Sequence, residues 1–139
     1  MRKLLVIGGV ECNFKTSAAV PRMYRLKFSR DIFNDLNSID KQIKIQQKKL
    51  EEEKQIALDK GEEFDESEHE STLPVQTLTI FENIAFIMHK HGDPSQPADI
   101  DEWLEQFETF DIYNVFPEII SMWNAENKQL SEPKKETEK

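Results

Sequence analysis

The chain is short of the residues that build disulfides, phosphate loops and membrane spans. It has one cysteine, Cys12, so no disulfide can form within it, and a reducing compartment is the natural expectation. It has four glycines. Gly8 and Gly9 follow the apolar run Leu4–Ile7 as a nucleotide-binding fold would begin, but no third glycine completes G-x-G-x-x-G and Glu11–Phe14 continue like a strand. A G-x-x-x-x-G-K-[ST] loop is also missing. No apolar run approaches the ~20 residues of a membrane span, and Leu4–Ile7 is shorter than the ~7–15 apolar residues of a secretory leader. The sequence therefore reads as soluble and cytoplasmic, with no membrane partner.

Metal and acid–base chemistry have little to work with. The three histidines are His69, His89 and His91. His89 and His91 stand two apart and diverge on a helix, and no second cysteine is present for a zinc finger. They read instead as cations at a helix C-terminus. The acidic run Glu62–Glu70 lacks the D-x-[DN]-x-[DN]-G order of a calcium loop. Cys12 lies in a strand-like stretch with no histidine near it in sequence, which suits a structural thiol. No catalytic constellation, cofactor site or metal site is expected, and the chain reads as a non-enzyme.

What is abundant is charge, unevenly placed. Charged residues are 32% of the chain and apolar ones 37%, so the core is small and part of the chain is solvated. Residues 1–60 carry 13 Lys/Arg and 8 Asp/Glu, whereas residues 61–139 carry 5 and 19. The overall charge of -9 opposes duplex binding. A basic front and an acidic back suit contacts with each other or with a partner.

Local patterns give the elements. Gly8-Gly9 reads as the two-residue turn of a hairpin with strands at 3–7 and 10–15. Ser17 is placed to cap a helix with Pro21 in its first turn and a stripe of Val20, Tyr24 and Phe28 beside Met23. Arg22, Arg25, Lys27 and Arg30 would ring that stripe and meet acids of the back half. Ser29 is placed to cap a second helical segment with Ile32, Phe33 and Leu36 as its apolar face. From residue 40 to 60 the pattern thins to a solvated helix with a seam at Ile39, Ile43, Leu50 and Ala57. Residues 61–72 read as a flexible acidic loop.

Order resumes at Leu73-Pro74. Leu78, Phe81, Ile84, Ala85 and Met88 share a face of a helix that reads as the centre of the core, with Gly92 as its stop. Asp99 or Asp101 can cap a next helix bearing Trp103, Leu104 and Phe107. Asp111 can cap a last one, with Ile112, Val115, Phe116, Ile119, Ile120 and Trp123 at helical spacing and a kink or late start at Pro117. The expected fold is a mainly α, small helical domain with an N-terminal β-hairpin. It spans 1–130 as one domain, with a charged helix and acidic insertion at 40–72 and a disordered tail at 131–139.

The segment FKTSAAVPRMYRLKFSRDIFNDL, residues 14–36, resembles the front of tail assembly chaperones from long-tailed (siphovirus-type) phages of Gram-positive bacteria. The match runs through Lys15, Ser17, Ala18 and an R-x-Y-R-x-x-F-[GS]-R-D-like stretch, Arg22, Tyr24, Arg25, Phe28, Arg30 and Asp31. Ser29 stands where that family usually has glycine. The stretches TIFENIAFIMHKHGD and DIDEWLEQFETFDIYNVFPEIISMW resemble the family's usual ending, so the likeness covers 10–36 and 75–130. It implies a protein of the host cell cytoplasm, absent from the mature virion. Such a protein binds the tape measure protein, keeps it soluble and helps recruit tail tube (major tail) subunits. It also implies that a frameshifted longer form can arise near a site such as Pro133-Lys134-Lys135. Candidate partner-binding residues are Arg22, Tyr24 and Arg25, with Phe110, Ile112 and Trp123 either as client anchors or as core. Self-association through the 39–57 seam stays open. The alternative reading is a small regulatory protein that binds nucleic acid through the basic 22–30 segment.

Overall fold

The structure is a computed structural model that describes residues 1–64 and 73–137, with side chains through Asn124. The flexible acidic loop expected at 61–72 lies mostly outside the described residues. Strands β1 (Arg2–Ile7) and β2 (Val10–Lys15) pair antiparallel, and helices α1 (Ala19–Phe28), α2 (Ile32–Asp59), α3 (Val75–Gly92), α4 (Ile100–Leu104) and α5 (Ile112–Thr137) follow. The mainly α domain with an N-terminal hairpin is what the sequence patterns require.

The hairpin turns at Gly8 (φ 54) and Gly9 (φ 84), both left-handed, as a primed two-residue turn requires. Ile7 faces Val10 across it, and Leu5, Ile7, Cys12 and Phe14 point into the core. That core is built around α3, which touches β2, α1, α2, α4 and α5. From Ile84 to His89 α3 is buried on every side, whereas Leu78 is only half-buried.

Several local expectations give way to tertiary packing. Ser17 lies one residue ahead of the cap position, with its hydroxyl accepting from the Ala19 N–H (3.2 Å) and lying 2.9 Å from His91 Nε2. Ser29 does not cap α2. It closes α1 in the left-handed conformation (φ 57), its N–H donating to the Arg25 carbonyl, and Asp31 caps α2 through the Phe33 N–H (2.9 Å). Helix α2 then runs unbroken through residue 40 for 28 residues, roughly 42 Å, so the charged stretch continues the same helix. Gly92 is the last residue of α3 with an ordinary φ. It is needed because a Cβ there would run into the Asn13 carbonyl of β2.

Asp99, not Asp101, caps α4. That helix stops at Leu104, so Phe107 reaches the core from the loop beyond it. Asp111 accepts from the Tyr113 N–H (2.9 Å) and α5 starts directly after it. Pro117 neither delays nor interrupts that helix, which is held by the buried row Ile112, Val115, Phe116, Ile119, Met122 and Trp123. The helical backbone continues through Leu130 to Thr137, into the stretch that the sequence reads as a tail.

Candidate partner-binding surface

The elbow between α1 and α2 is the part of the molecule with the richest polar chemistry. Tyr24 is fully buried, and its hydroxyl donates to Asp35 Oδ2 at 2.6 Å. Arg30 closes the same carboxylate with two bonds, Nε to Oδ2 and Nη2 to Oδ1, each 2.8 Å. Burial by itself pushes the Asp35 carboxyl up, but the Arg30 hydrogen bonds, the Tyr24 hydroxyl and the Arg30 charge outweigh it and hold it below its usual value. The Tyr24 phenol is pushed well above the tyrosine range, first by burial and then by its bond to Asp35. Both groups therefore keep one protonation state at neutral pH, which suits structure rather than proton transfer.

Tyr24 is thus a buried brace and not a surface anchor. Arg22 and Arg25 are exposed and form no ion pair among the described residues, so the expected ring of arginine–acid contacts with the back half is absent there. Arg30 instead pairs within the front half. A front-to-back ion pair joins Lys3 to Glu118.

Two apolar side chains sit among these cations. Leu26 is 66% exposed and Phe33 44% exposed. Phe33 faces out because Ile32 and Leu36 take the buried side of the first turn of α2. A groove of about 470 Å³ lies between the helices, lined by Pro21, Arg25, Ser29, Arg30, Asp31 and Phe33. Sequence reading missed Leu26 and Phe33 as surface candidates. The available signal was that Leu26 falls off the Val20–Tyr24–Phe28 stripe, and that Ile32 and Phe33 are consecutive and cannot share a helix face.

Two of the three candidates of the back half, Ile112 and Trp123, are core, and Phe110 packs against it. Ile112 and Trp123 are buried, as their periodicity allows, and Phe110 is half-buried. Phe110 stacks on Phe81 at 4.8 Å and meets the Trp103 ring edge-on at 5.5 Å. Trp123 packs against Phe33 at 5.5 Å, and its indole N–H has no partner among the described residues.

The histidines at the end of α3 are not the cations that the sequence suggests. His89 is buried against the Phe14 ring and accepts from the Trp103 indole N–H at Nδ1 (2.9 Å). Burial lowers its pKa, so it is a neutral acceptor. Burial followed by the nearby Lys15 and Arg2 charges lowers His91 as well. Cys12 is fully buried and its thiol is raised to about 11 by desolvation, the condition of an inert thiol. Among the described residues no three His, Cys, Asp or Glu side chains cluster to hold a metal ion, and no helix is long and apolar enough to cross a membrane.

The fold thus defines a small, mainly α domain with a two-stranded hairpin. Comparison with protein families, with curated proteins and with solved structures gives no match.

Proposed function

We propose that the protein is a phage tail assembly chaperone whose client is the tape measure protein. It keeps the client soluble and helps recruit tail tube subunits. The reading rests on the resemblance of residues 14–36 and 75–130. The observation that supports it is the elbow surface, where Arg22 and Arg25 form no ion pair among the described residues, Leu26 and Phe33 are exposed, and Arg25 and Phe33 line a wide groove. A mixed cationic and apolar surface of this kind suits reversible capture of an amphipathic helix from a long client. Nucleic acid would need the same arginines, but Asp31 lines the groove and Phe33 is the one aromatic residue in that lining.

Co-expression with a tape measure protein encoded beside this chain tests the proposal. The expected result is a soluble client that co-purifies with the chain. Leu26→Ser with Arg25→Glu reduces recovery about tenfold at unchanged thermal stability, since exposed positions cost little on folding. A client that precipitates equally with and without the chain removes the proposal. Salt-sensitive binding of the same surface to single-stranded RNA, without client rescue, replaces it with the nucleic-acid reading.

A further inference from the structure

Helix α2 presents two different sides. Ile32, Leu36, Ile39, Ile43 and Ala57 are buried and Leu50 is half-buried, so its apolar seam is turned toward the rest of the same chain. Half a turn round the helix stand Lys41, Ile45, Lys48, Glu52, Gln55 and Asp59, all exposed. They recur at alternate spacings of four and three, the rhythm of a helix that pairs with another helix. Ile56 flanks them on the Ile45 side, and Ile45 and Ile56 are 47% and 52% exposed. A shallow groove of about 390 Å³ runs along the start of this face beside Lys41, Ile45 and Lys48.

The order of charge along this face selects the occupant. Lys41 and Lys48 come first and Glu52 and Asp59 last, so the face is cationic in its first half and anionic in its second. Among the described residues Lys41, Lys48 and Glu52 form no ion pair. Asp59 holds the Gln55 amide nitrogen (3.1 Å) through one oxygen, and Lys44 is paired with Asp40 on its own helix and takes no part.

Such a face is complementary to itself when reversed. A parallel copy would set lysine against lysine and acid against acid. An antiparallel copy, related by a two-fold axis level with Leu50, sets Lys48 beside the second copy's Glu52 and Lys41 beside its Asp59, and symmetry makes each pair twice. The same axis brings Ile45 of each copy beside Ile56 of the other. The seam holds the body of each copy on the far side of its own α2, away from the paired faces.

We propose that the exposed face of α2 from Lys41 to Asp59 is a self-association site, at which two copies of this chain pair antiparallel. The matched charges set direction and register, and the isoleucines supply the apolar contact. The paired stretch is roughly 28 Å long. Its ion pairs stay solvated and each contributes little. The interface therefore falls in the small class, under about 1,200 Å² in total, and the dimer forms reversibly at about 0.1 mM. The site is separate from the elbow surface, and it stands or falls independently of the chaperone reading.

Sedimentation velocity on the full chain, from about 10 μM to about 1 mM, tests the proposal. The average mass is expected to rise toward that of two chains, and the association constant to fall about threefold or more between about 50 mM and about 300 mM salt. Lys41→Glu with Lys48→Glu leaves the charges of the face all anionic, and Glu52→Lys with Asp59→Lys leaves them all cationic. Each double variant alone stays monomeric at about 1 mM, and an equimolar mixture of the two forms a dimer at least as tight as the native one. Their helical circular dichroism is unchanged, because the altered positions are exposed. Cross-links read the direction. Ile45→Cys mixed with Ile56→Cys oxidises to a linked dimer, whereas Ile45→Cys alone does not, because antiparallel pairing keeps the two copies of that position roughly 15 Å apart. A chain that stays monomeric at about 1 mM overturns the proposal and leaves the face to another protein. So does a dimer that either charge variant keeps, or an Ile45→Cys chain that links to itself.

Discussion

Two buried polar networks among the described residues are built in opposite ways. The His89–Trp103 bond sits in a dry aromatic nest with Phe14, Phe86, Phe107 and Phe110 around it, and neither partner carries charge. The Tyr24–Asp35–Arg30 network carries two full charges, and its Arg30 side chain is 42% exposed. The first locks the hairpin, α3 and α4 together through shape. The second fixes the direction in which α2 leaves α1, and it does so at the edge of the groove where Arg25 and Phe33 are displayed. An apolar nest tolerates no loss of volume, whereas a half-wet charged brace is softened by water when one member is lost.

Trp103→Ala breaks the comparison at its strongest point. It removes the largest fully buried side chain and leaves the His89 acceptor without its donor. The expected cost is about 3–5 kcal/mol, enough to unfold a domain of marginal stability at 37 °C, read by thermal or urea unfolding. Asp35→Ala comes next. It strands the Tyr24 hydroxyl in the core and leaves Arg30 unpaired, but the guanidinium can turn to water. The expected loss is about 2–3 kcal/mol, less than for a fully buried pair. Asp35→Asn, which keeps an acceptor for Tyr24, loses less than Asp35→Ala by urea midpoint. If the two cost the same, the hydrogen bond to Tyr24 contributes nothing.

Acid separates the networks by window. His89 has a folded pKa below its ordinary 6.5, so the unfolded chain takes up a proton first. Its stabilising contribution is complete above 6.5 and is lost as pH falls from there toward the folded value. His91 is shifted the same way and adds to the same window. Asp35 also has a lowered pKa, and its contribution is lost as pH falls below about 3.8. Thermal midpoints of the native chain are therefore expected to decline in two steps. The His89→Gln variant loses part of the upper step and keeps the lower one. Asp35→Asn reduces that lower step without removing it, because Asp93 is lowered to about 2 by its Ser95 and Gln96 hydrogen bonds and titrates in the same window.

The features legible in the sequence are those that one stretch of chain decides for itself. Gly8-Gly9 named its turn because positive φ at two adjacent residues has few other uses. Asp111 named the start of α5, and the α5 row showed its buried face. What was hidden depends on a second stretch. Gly92 follows a histidine- and lysine-rich helix end and reads as a terminator, yet its role is to let the Asn13 carbonyl approach. His89 reads as a cation until Phe14 and Trp103 close around it. Tyr24 reads as half of a cationic–aromatic binding motif, and only the position of Asp35, eleven residues on, turns its hydroxyl inward. Conversely, Leu26 and Phe33 became visible as surface once the buried side of each helix was known. The elbow itself forms with Ser29 in a left-handed conformation that glycine would adopt with less strain. Ser29→Gly is therefore expected to raise stability by about 0.5–1 kcal/mol in the same unfolding assay.

Trp123 is where the two styles of network meet, and the smallest effect falls there. Its ring packs on Phe33 at the elbow, it is 94% removed from solvent, and its N–H has no acceptor among the described residues. A buried donor without a partner costs about 1–3 kcal/mol relative to water. Trp123→Phe removes that penalty and also removes ring volume, which costs a comparable amount. The two effects oppose each other, so the variant is expected to unfold within about 1 kcal/mol of the native chain, far from the loss at Trp103. That contrast sharpens the distinction drawn between the networks. Trp103 is held by its hydrogen bond as well as its shape, and Trp123 by shape alone. A loss at Trp123 above about 2 kcal/mol would mean that its N–H finds an acceptor in solution, and would make it a third polar link between the elbow and α5.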